Sequence, residues 1–290
     1  MKMNYLVIDE IIKGALNEDI PNEDITTNSV IDEDSICRAE LLSKDTGILA
    51  GLDVFKRVFD LLGEVEVELF KADGDAAEPK MIVAKLSGST RNILKGERTA
   101  LNLLQRMSGI ATITKAYSDA IAVTDAKLLD TRKTMPGLRL LDKYAVTVGG
   151  GHNHRFNLSD GIMLKDNHIS AAGGIKAAVE AARKSCSFVR KVEVETESLE
   201  MVRQALEAGA DIIMLDNMDI ETMKKAVEMI GGRAITEDSG NVTLSTIKAI
   251  AETGVDYISS GALTHSVKAL DLSLKNLMLL PRAARQYQKL

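Results

Sequence analysis

A rhythm of strand, loop and helix sets in at Lys127, and it limits the fold more than any other feature of the chain. Six short apolar runs carry it: Lys127–Arg132, Gly161–Lys165, Lys191–Glu195, Asp211–Asp216, Ala234–Glu237 and Val255–Ser260. The segments between them have helical spacing, as in Leu199 to Ala208 and Ile220 to Ile230. A strand that returns through a helix joins the next strand in parallel. Six such units between residues 127 and 260 fit a (β/α) barrel, whole or incomplete, better than an open sheet.

The first third has a different, α+β pattern. Tyr5 to Leu16 is helical in spacing, and the acidic run Asn17 to Asp24, with Pro21, ends it. Ile36 to Gly51 and Glu64 to Leu94 read as strands, the second broken at Ala72 to Ala77 and at Gly88. Leu52 to Leu62 reads as a helix with Val54 and Val58 on one face. A long helix is expected from Gly96 to Val123, with Ala100, Leu104, Met107 and Ala111 aligned, as a connector between domains. The last piece, Leu270 to Leu290, is expected to be helical, ended or kinked by Pro281.

Composition narrows the function. A net charge of -6 disfavours nucleic acid and anionic membranes as partners, and 3% aromatics disfavour a stacking surface for single strands. Two cysteines cannot form a disulfide framework, no signal peptide opens the chain and no run spans a bilayer, so a cytoplasmic location is expected.

In parallel α/β folds the site lies at the C-terminal ends of the strands. Those ends carry Asp130, Arg132 and Lys133, then Lys165, Glu193 and Glu195, Asp216, Glu237 and Asp238, and Ser259 to Gly261. Any one of these alone reads as a solvated loop residue. Glu193 and Glu195 do not, because they alternate with valines and so point into the barrel, where a carboxylate needs Lys165, a metal or a ligand. Gly149 to Gly151, followed by His152, His154 and Arg155, lets backbone and cations approach a ligand. Arg98, at the expected start of the connector helix, adds a cation where the dipole favours an anion. An acidic chain that gathers these cations suits a ligand of several negative charges. Glu195 and Asp216 suit Mg²⁺ or sugar hydroxyls, and Ser239-Gly-Asn241 with Ser260-Gly261 sits where barrels hold phosphate.

At these residues the sequence closely resembles quinolinate phosphoribosyltransferase. The matching stretches are Glu18-Asp19 with Asp24 to Thr27, Gly96 to Asn102 running to Ser108 to Thr112, Asp130 to Thr134, Gly149 to Asp160, Met163 to His168, Val192 to Glu195, Met214 to Asn217, and Ser239-Gly240 with Ser260-Gly261. They cover nearly the whole chain in the family's order; Asn241 departs where many members have a second glycine. The resemblance implies an N-terminal α/β sandwich domain (1–107, with the helix 270–290 packed back on it) and a seven-stranded open α/β barrel of TIM type (108–269). It implies transfer of phosphoribose from phosphoribosyl pyrophosphate to quinolinate with loss of CO2, in NAD biosynthesis. It also implies a homodimer with Arg98 serving the partner's site, and leaves higher assembly open. Carried over by motif, Arg98, Arg132, His154, Arg155 and Lys165 hold quinolinate; Lys133 and Lys165 meet the donor's phosphates; Glu195 and Asp216 meet the ribose hydroxyls and Mg²⁺; and Ser239, Gly240, Gly261 and His265 cradle the 5′-phosphate. Glu195, Asp216, Lys165 and Lys133 are the catalytic candidates. Three other readings remain: a molybdenum-transport-associated paralogue with another acceptor, a barrel lyase using Lys165 as a Schiff-base nucleophile, and a non-enzymatic sensor.

Overall fold

The computed structural model describes residues 3–281. The elements begin with helices α1 (Tyr5–Asp19) and α2 (Ile25–Val30), strands β1 (Ile36–Ser43) and β2 (Gly47–Ile48), and helix α3 (Leu52–Leu62). Strands β3 (Val65–Leu69), β4 (Ala76–Ala77) and β5 (Ile82–Ser89) lead into the long helix α4 (Thr90–Ala120). Next come β6 (Lys127–Leu129), α5 (Arg139–Val148), β7 (Ile162–Leu164), α6 (Asp166–Ala172) and α7 (Ile175–Ser185). The pairs β8 (Val192–Thr196) and α8 (Leu199–Glu207), then β9 (Ile212–Asp216) and α9 (Ile220–Ile230), follow. The described elements end with β10 (Ile235–Ser239), α10 (Ile247–Ala251), β11 (Tyr257–Ser259), α11 (Ala262–His265) and β12 (Leu272–Leu279). The chain divides into two compact units, one of residues up to 113, 136–149 and from 267 on, the other of 114–135 and 150–266.

The first unit is built on an antiparallel sheet of order β12-β1-β5-β3. Cys37, Ala39 and Leu41 of β1 are buried, while Arg38 between them is exposed, as expected of a sheet with one covered face. Helix α3 spans the residues expected and buries Val54, Phe55, Val58 and Phe59. The rings of Phe55 and Phe59 meet edge to face at 5.2 Å, and each fully buried ring contributes roughly 2–3 kcal/mol.

Two expectations are corrected here. Helix α4 begins at Thr90, not at Gly96, so Arg98 lies about two turns inside it and gains nothing from the helix-end dipole. Gly96 is a contact rather than a break: a Cβ there would sit 2.7 Å from side-chain atoms of Leu62 and Phe59. The segment expected to be helical from Leu270 is a strand over Leu272–Leu279, paired antiparallel with β1. Its signal was the period-two burial of Leu270, Leu272 and Leu274 against partly or fully exposed Asp271, Ser273 and Lys275. Residues 282–290 of that expected helix lie outside the described residues.

The second unit is a parallel sheet of order β6-β11-β10-β9-β8-β7. A lone parallel bridge from Leu129 to His152 borders β6 on its other side. Six strands and this bridge form the open α/β barrel. Val192, Val194, Ile213, Leu215 and Ile258 are fully buried, as are Val202 of α8, and Ala226 and Ile230 of α9. Ser198 and Asp219 cap α8 and α9 by accepting the N–H of Met201 and Thr222, each cap worth about 1 kcal/mol. Among the described residues no helix is long and apolar enough to cross a membrane.

Candidate active site

A cavity of about 510 Å³ opens at the C-terminal ends of the barrel strands, within the usual range for a small-molecule site. The loop leaving β6 supplies Thr131, Arg132 and Lys133 to it. That loop is held by Thr264, whose hydroxyl donates to the Lys133 carbonyl at 2.9 Å. Asp130 beneath it is fully buried and accepts the His154 N–H at 2.9 Å and the Asn153 amide at 2.6 Å. These bonds fix the Gly149–Arg155 segment, which brings His154 and Arg155 to the cavity wall. Arg155 donates to the Gly161 carbonyl at 3.0 Å. Burial and the nearby charge of Arg132 hold its pKa below the usual guanidinium range. Two mutually repelling guanidinium groups beside one cavity call for an anion.

Acidic residues line the same cavity. Lys165 leaves β7 and its ammonium pairs with Glu195 of β8. Asp216 ends β9 and accepts the Asn217 amide at 2.7 Å. Asn217, Gly240 and Asn241 all have positive φ, at 52, 105 and 49°. The turn at Gly240–Asn241 is of a kind that suits an anion, whereas the Asn217 N–H donates to the Ser239 carbonyl at 2.9 Å. Gly240 is required there, since a Cβ would lie 2.3 Å from the Asn217 side-chain oxygen. Asn241, the departure from the family pattern, sits in the left-handed region that asparagine tolerates.

Arg132, Lys133, His154, Arg155, Lys165, Glu195, Asp216, Ser239 and Gly240 are thus all brought to one cavity. Gly261 and His265 are not on its wall but stand behind Lys133, where a Cβ on Gly261 would meet His265 and Lys133 at 2.8 Å. Arg98 belongs to the other unit. Sequence reasoning missed the role of Glu237, which with Glu193 flanks His154: Nε2 stands 3.4 Å from a carboxylate oxygen of each. Only its inward place in β10, in step with Glu193 and Glu195 in β8, could have signalled this. Met163 and Met214, apolar walls of the cavity, carried no signal that separated them from core residues.

Burial lowers the His154 pKa, but the two carboxylates outweigh it and push the pKa up to about 10. Yet Nδ1 accepts the Arg155 N–H at 2.6 Å, which a protonated Nδ1 cannot do. The direct contact decides the tautomer: the proton sits on Nε2, between the carboxylates. The Glu193 pKa is raised by burial, opposed by His154 and raised further by Glu237. The three ligand atoms of His154, Glu193 and Glu237 lie within 4.8 Å of one another, a set able to hold a metal such as zinc. Glu195 and Asp216, with only oxygen donors on an open wall, are better suited to Mg²⁺.

Asp238, only 2% exposed, is raised to about 7 by burial, then by Asp216 and Glu237. Between about pH 4 and 7 the unfolded chain ionises this carboxyl and the native chain does not, so unfolding releases a proton and stability falls as pH rises. In the presence of a chelator, stability is expected to drop by up to about 3 kcal/mol across that window from this group. Asp238→Asn should flatten the drop in denaturant titrations at pH 5 and pH 8; an identical drop in the variant would refute the assignment.

The comparisons with known proteins agree along the chain. Residues 24–108 match the family model for the quinolinate phosphoribosyl transferase N-terminal domain, and residues 110–275 that for the C-terminal domain. The chain belongs to the quinolinate phosphoribosyltransferase family. It is 46% identical over 273 residues to a probable carboxylating nicotinate-nucleotide pyrophosphorylase of Bacillus subtilis, covering 94% of each. It is 47% identical to the chloroplastic carboxylating nicotinate-nucleotide pyrophosphorylase of Arabidopsis thaliana, covering 91% of this chain and 81% of the relative. The crystal structure of NadC from Streptococcus pyogenes superposes with a TM-score of 0.93 at 48% identity, covering 97% of this chain and all of that one. In this member of the quinolinate phosphoribosyltransferase family, then, one cavity gathers Glu195 and Asp216 together with Arg132 and Arg155.

Proposed function

We propose that this chain transfers phosphoribose from phosphoribosyl pyrophosphate to quinolinate and releases CO2 and pyrophosphate, giving nicotinate mononucleotide. The observation that carries this reading is the single cavity lined by Arg132, Lys133 and Arg155 together with Glu195 and Asp216. Two vicinal carboxylates need two cations in fixed geometry, and a ribose with developing positive charge needs an anion beneath it. Arg132 and Arg155 bind the acceptor's carboxylates and aim its ring nitrogen at C1 of the ribose. Lys133 and Lys165 offset charge on the departing pyrophosphate. Glu195, freed in part from Lys165 as that lysine turns to phosphate, stabilises the oxocarbenium-like ribose. N-ribosylation makes the ring a cation, which takes up the electron pair left when the 2-carboxylate departs, and C2 then takes a proton from water. Glu195 and Asp216 would hold a Mg²⁺ ion brought by the donor, which neutralises phosphate charge. The backbone turn at Gly240–Asn241, with Ser239, receives the 5′-phosphate.

The ion pair between Lys165 and Glu195 speaks against a Schiff-base lyase, since a paired ammonium is no nucleophile. We also read the active form as a homodimer in which Arg98 serves the partner's site, at work in the cytoplasm. The test is a product assay with quinolinate, phosphoribosyl pyrophosphate and Mg²⁺, with nicotinate as control acceptor. Nicotinate mononucleotide from quinolinate alone is expected; turnover of nicotinate, or of neither, would overturn the reading.

A further inference from the structure

Glu193 and Glu237 are 3% and 2% exposed, and an Oε1 atom of each finds no hydrogen-bond partner among the described residues. Their contacts with His154, at 3.4 Å, are longer than an ordinary hydrogen bond. Two buried, under-satisfied carboxylates cost stability, and a barrel core does not need them. Such groups persist where function holds them in place. Both carboxylates stand 3.4 Å from Nε2 of His154, close enough for an electrostatic contact though Nε2 makes no hydrogen bond among the described residues, while Nδ1 accepts the Arg155 N–H at 2.6 Å; Glu193 also attracts Arg155. The ring therefore acts as a strut between the barrel floor and the main chain of Arg155. Asp130 fixes the same segment from the other side by accepting the His154 N–H.

We propose that Glu193 and Glu237 are positioning residues for the carboxylate clamp, acting through His154 to set the backbone, and hence the guanidinium, of Arg155. This rests on the function proposed above, and it changes the part expected of His154 from direct ligand to support. The clamp's selectivity for a vicinal dicarboxylate then depends on two buried residues, Glu237 at the cavity's edge and Glu193 beyond its wall. A role confined to stability predicts the reverse of what this arrangement predicts, because removing a buried carboxylate with an unpaired oxygen relieves the fold.

The test uses the full chain with Glu193→Gln and Glu237→Gln, in steady-state kinetics and thermal unfolding. The KM for quinolinate is expected to rise tenfold or more in each variant, the KM for phosphoribosyl pyrophosphate to stay within twofold, and Tm to hold or rise by about 2–4 °C. An unchanged quinolinate KM would overturn the proposal. So would a lowered Tm with both KM values raised together, the mark of a structural role. If the wild type shows no turnover, the proposed function fails, and calorimetric binding of quinolinate decides the positioning role separately: at least tenfold weaker binding in the variants upholds it. Equal binding, or none even to the wild type, overturns it.

Discussion

Arg132→Ala is expected to lower kcat/KM for quinolinate by about 30- to 700-fold, the equivalent of 2–4 kcal/mol for the loss of a bidentate charge partner. Arg132 is exposed at the cavity edge and has no ion pair among the described residues. Removing it therefore leaves no orphaned carboxylate in the protein, and the loss falls on ligand binding rather than on folding. Arg155, relieved of a neighbouring like charge, cannot compensate, because one guanidinium cannot make bidentate contacts with two carboxylates while also donating to the Gly161 carbonyl. The loss should appear mainly in the KM for quinolinate, with thermal stability held. Arg132→Lys should recover only part of it, since an ammonium offers charge without the planar fork. Steady-state kinetics check this; a variant with wild-type KM and kcat would remove Arg132 from the clamp.

How far the sequence foretold this site depends on the length scale of each interaction. The alternation Val192-Glu193-Val194-Glu195 is a local pattern, and it alone places both carboxylates inside the barrel. The strand ends were legible for the same reason, since a parallel strand delivers its last residues to one rim. Their pairing was not. Lys165 was the partner offered to the two glutamates as a group, yet it meets only Glu195, while Glu193 meets His154 from a distant segment. Which cation reaches which anion depends on strand stagger and loop path, and neither is written in spacing. The helix boundary at Gly96 failed differently. A glycine in a helix lowers local propensity, and only the tertiary contact with Leu62 and Phe59 shows why it is there. At Leu272–Leu279 helix-forming leucines concealed a period of two, and pairing with β1 overrode propensity.

Arg106→Ala is expected to destabilise the first unit by about 3–5 kcal/mol, the usual cost of breaking a buried pair from one side. Arg106 of α4 grips Asp142 of α5 with two parallel bonds of 2.8 Å each. Asp142 is fully buried, whereas Arg106 keeps a fifth of its side chain exposed. The asymmetry sets the sign. Losing the arginine removes the main fork that offsets a desolvated carboxylate, and burial then works against that charge. Neighbouring bonds of α5 share the load, as Tyr144 donates to Asp73 at 2.8 Å, so the damage should loosen α5 before the sheet. Arg106→Ala should lower the denaturant midpoint without changing which ligands bind, and amide exchange over residues 139–148 should rise first. Arg106→Met with Asp142→Leu should recover much of the loss, because a shape-matched apolar pair has no charge to leave uncovered. If the single variant keeps the wild-type midpoint, α5 is held by its apolar face, Leu141, Ala145 and Val146, and the ion pair is incidental.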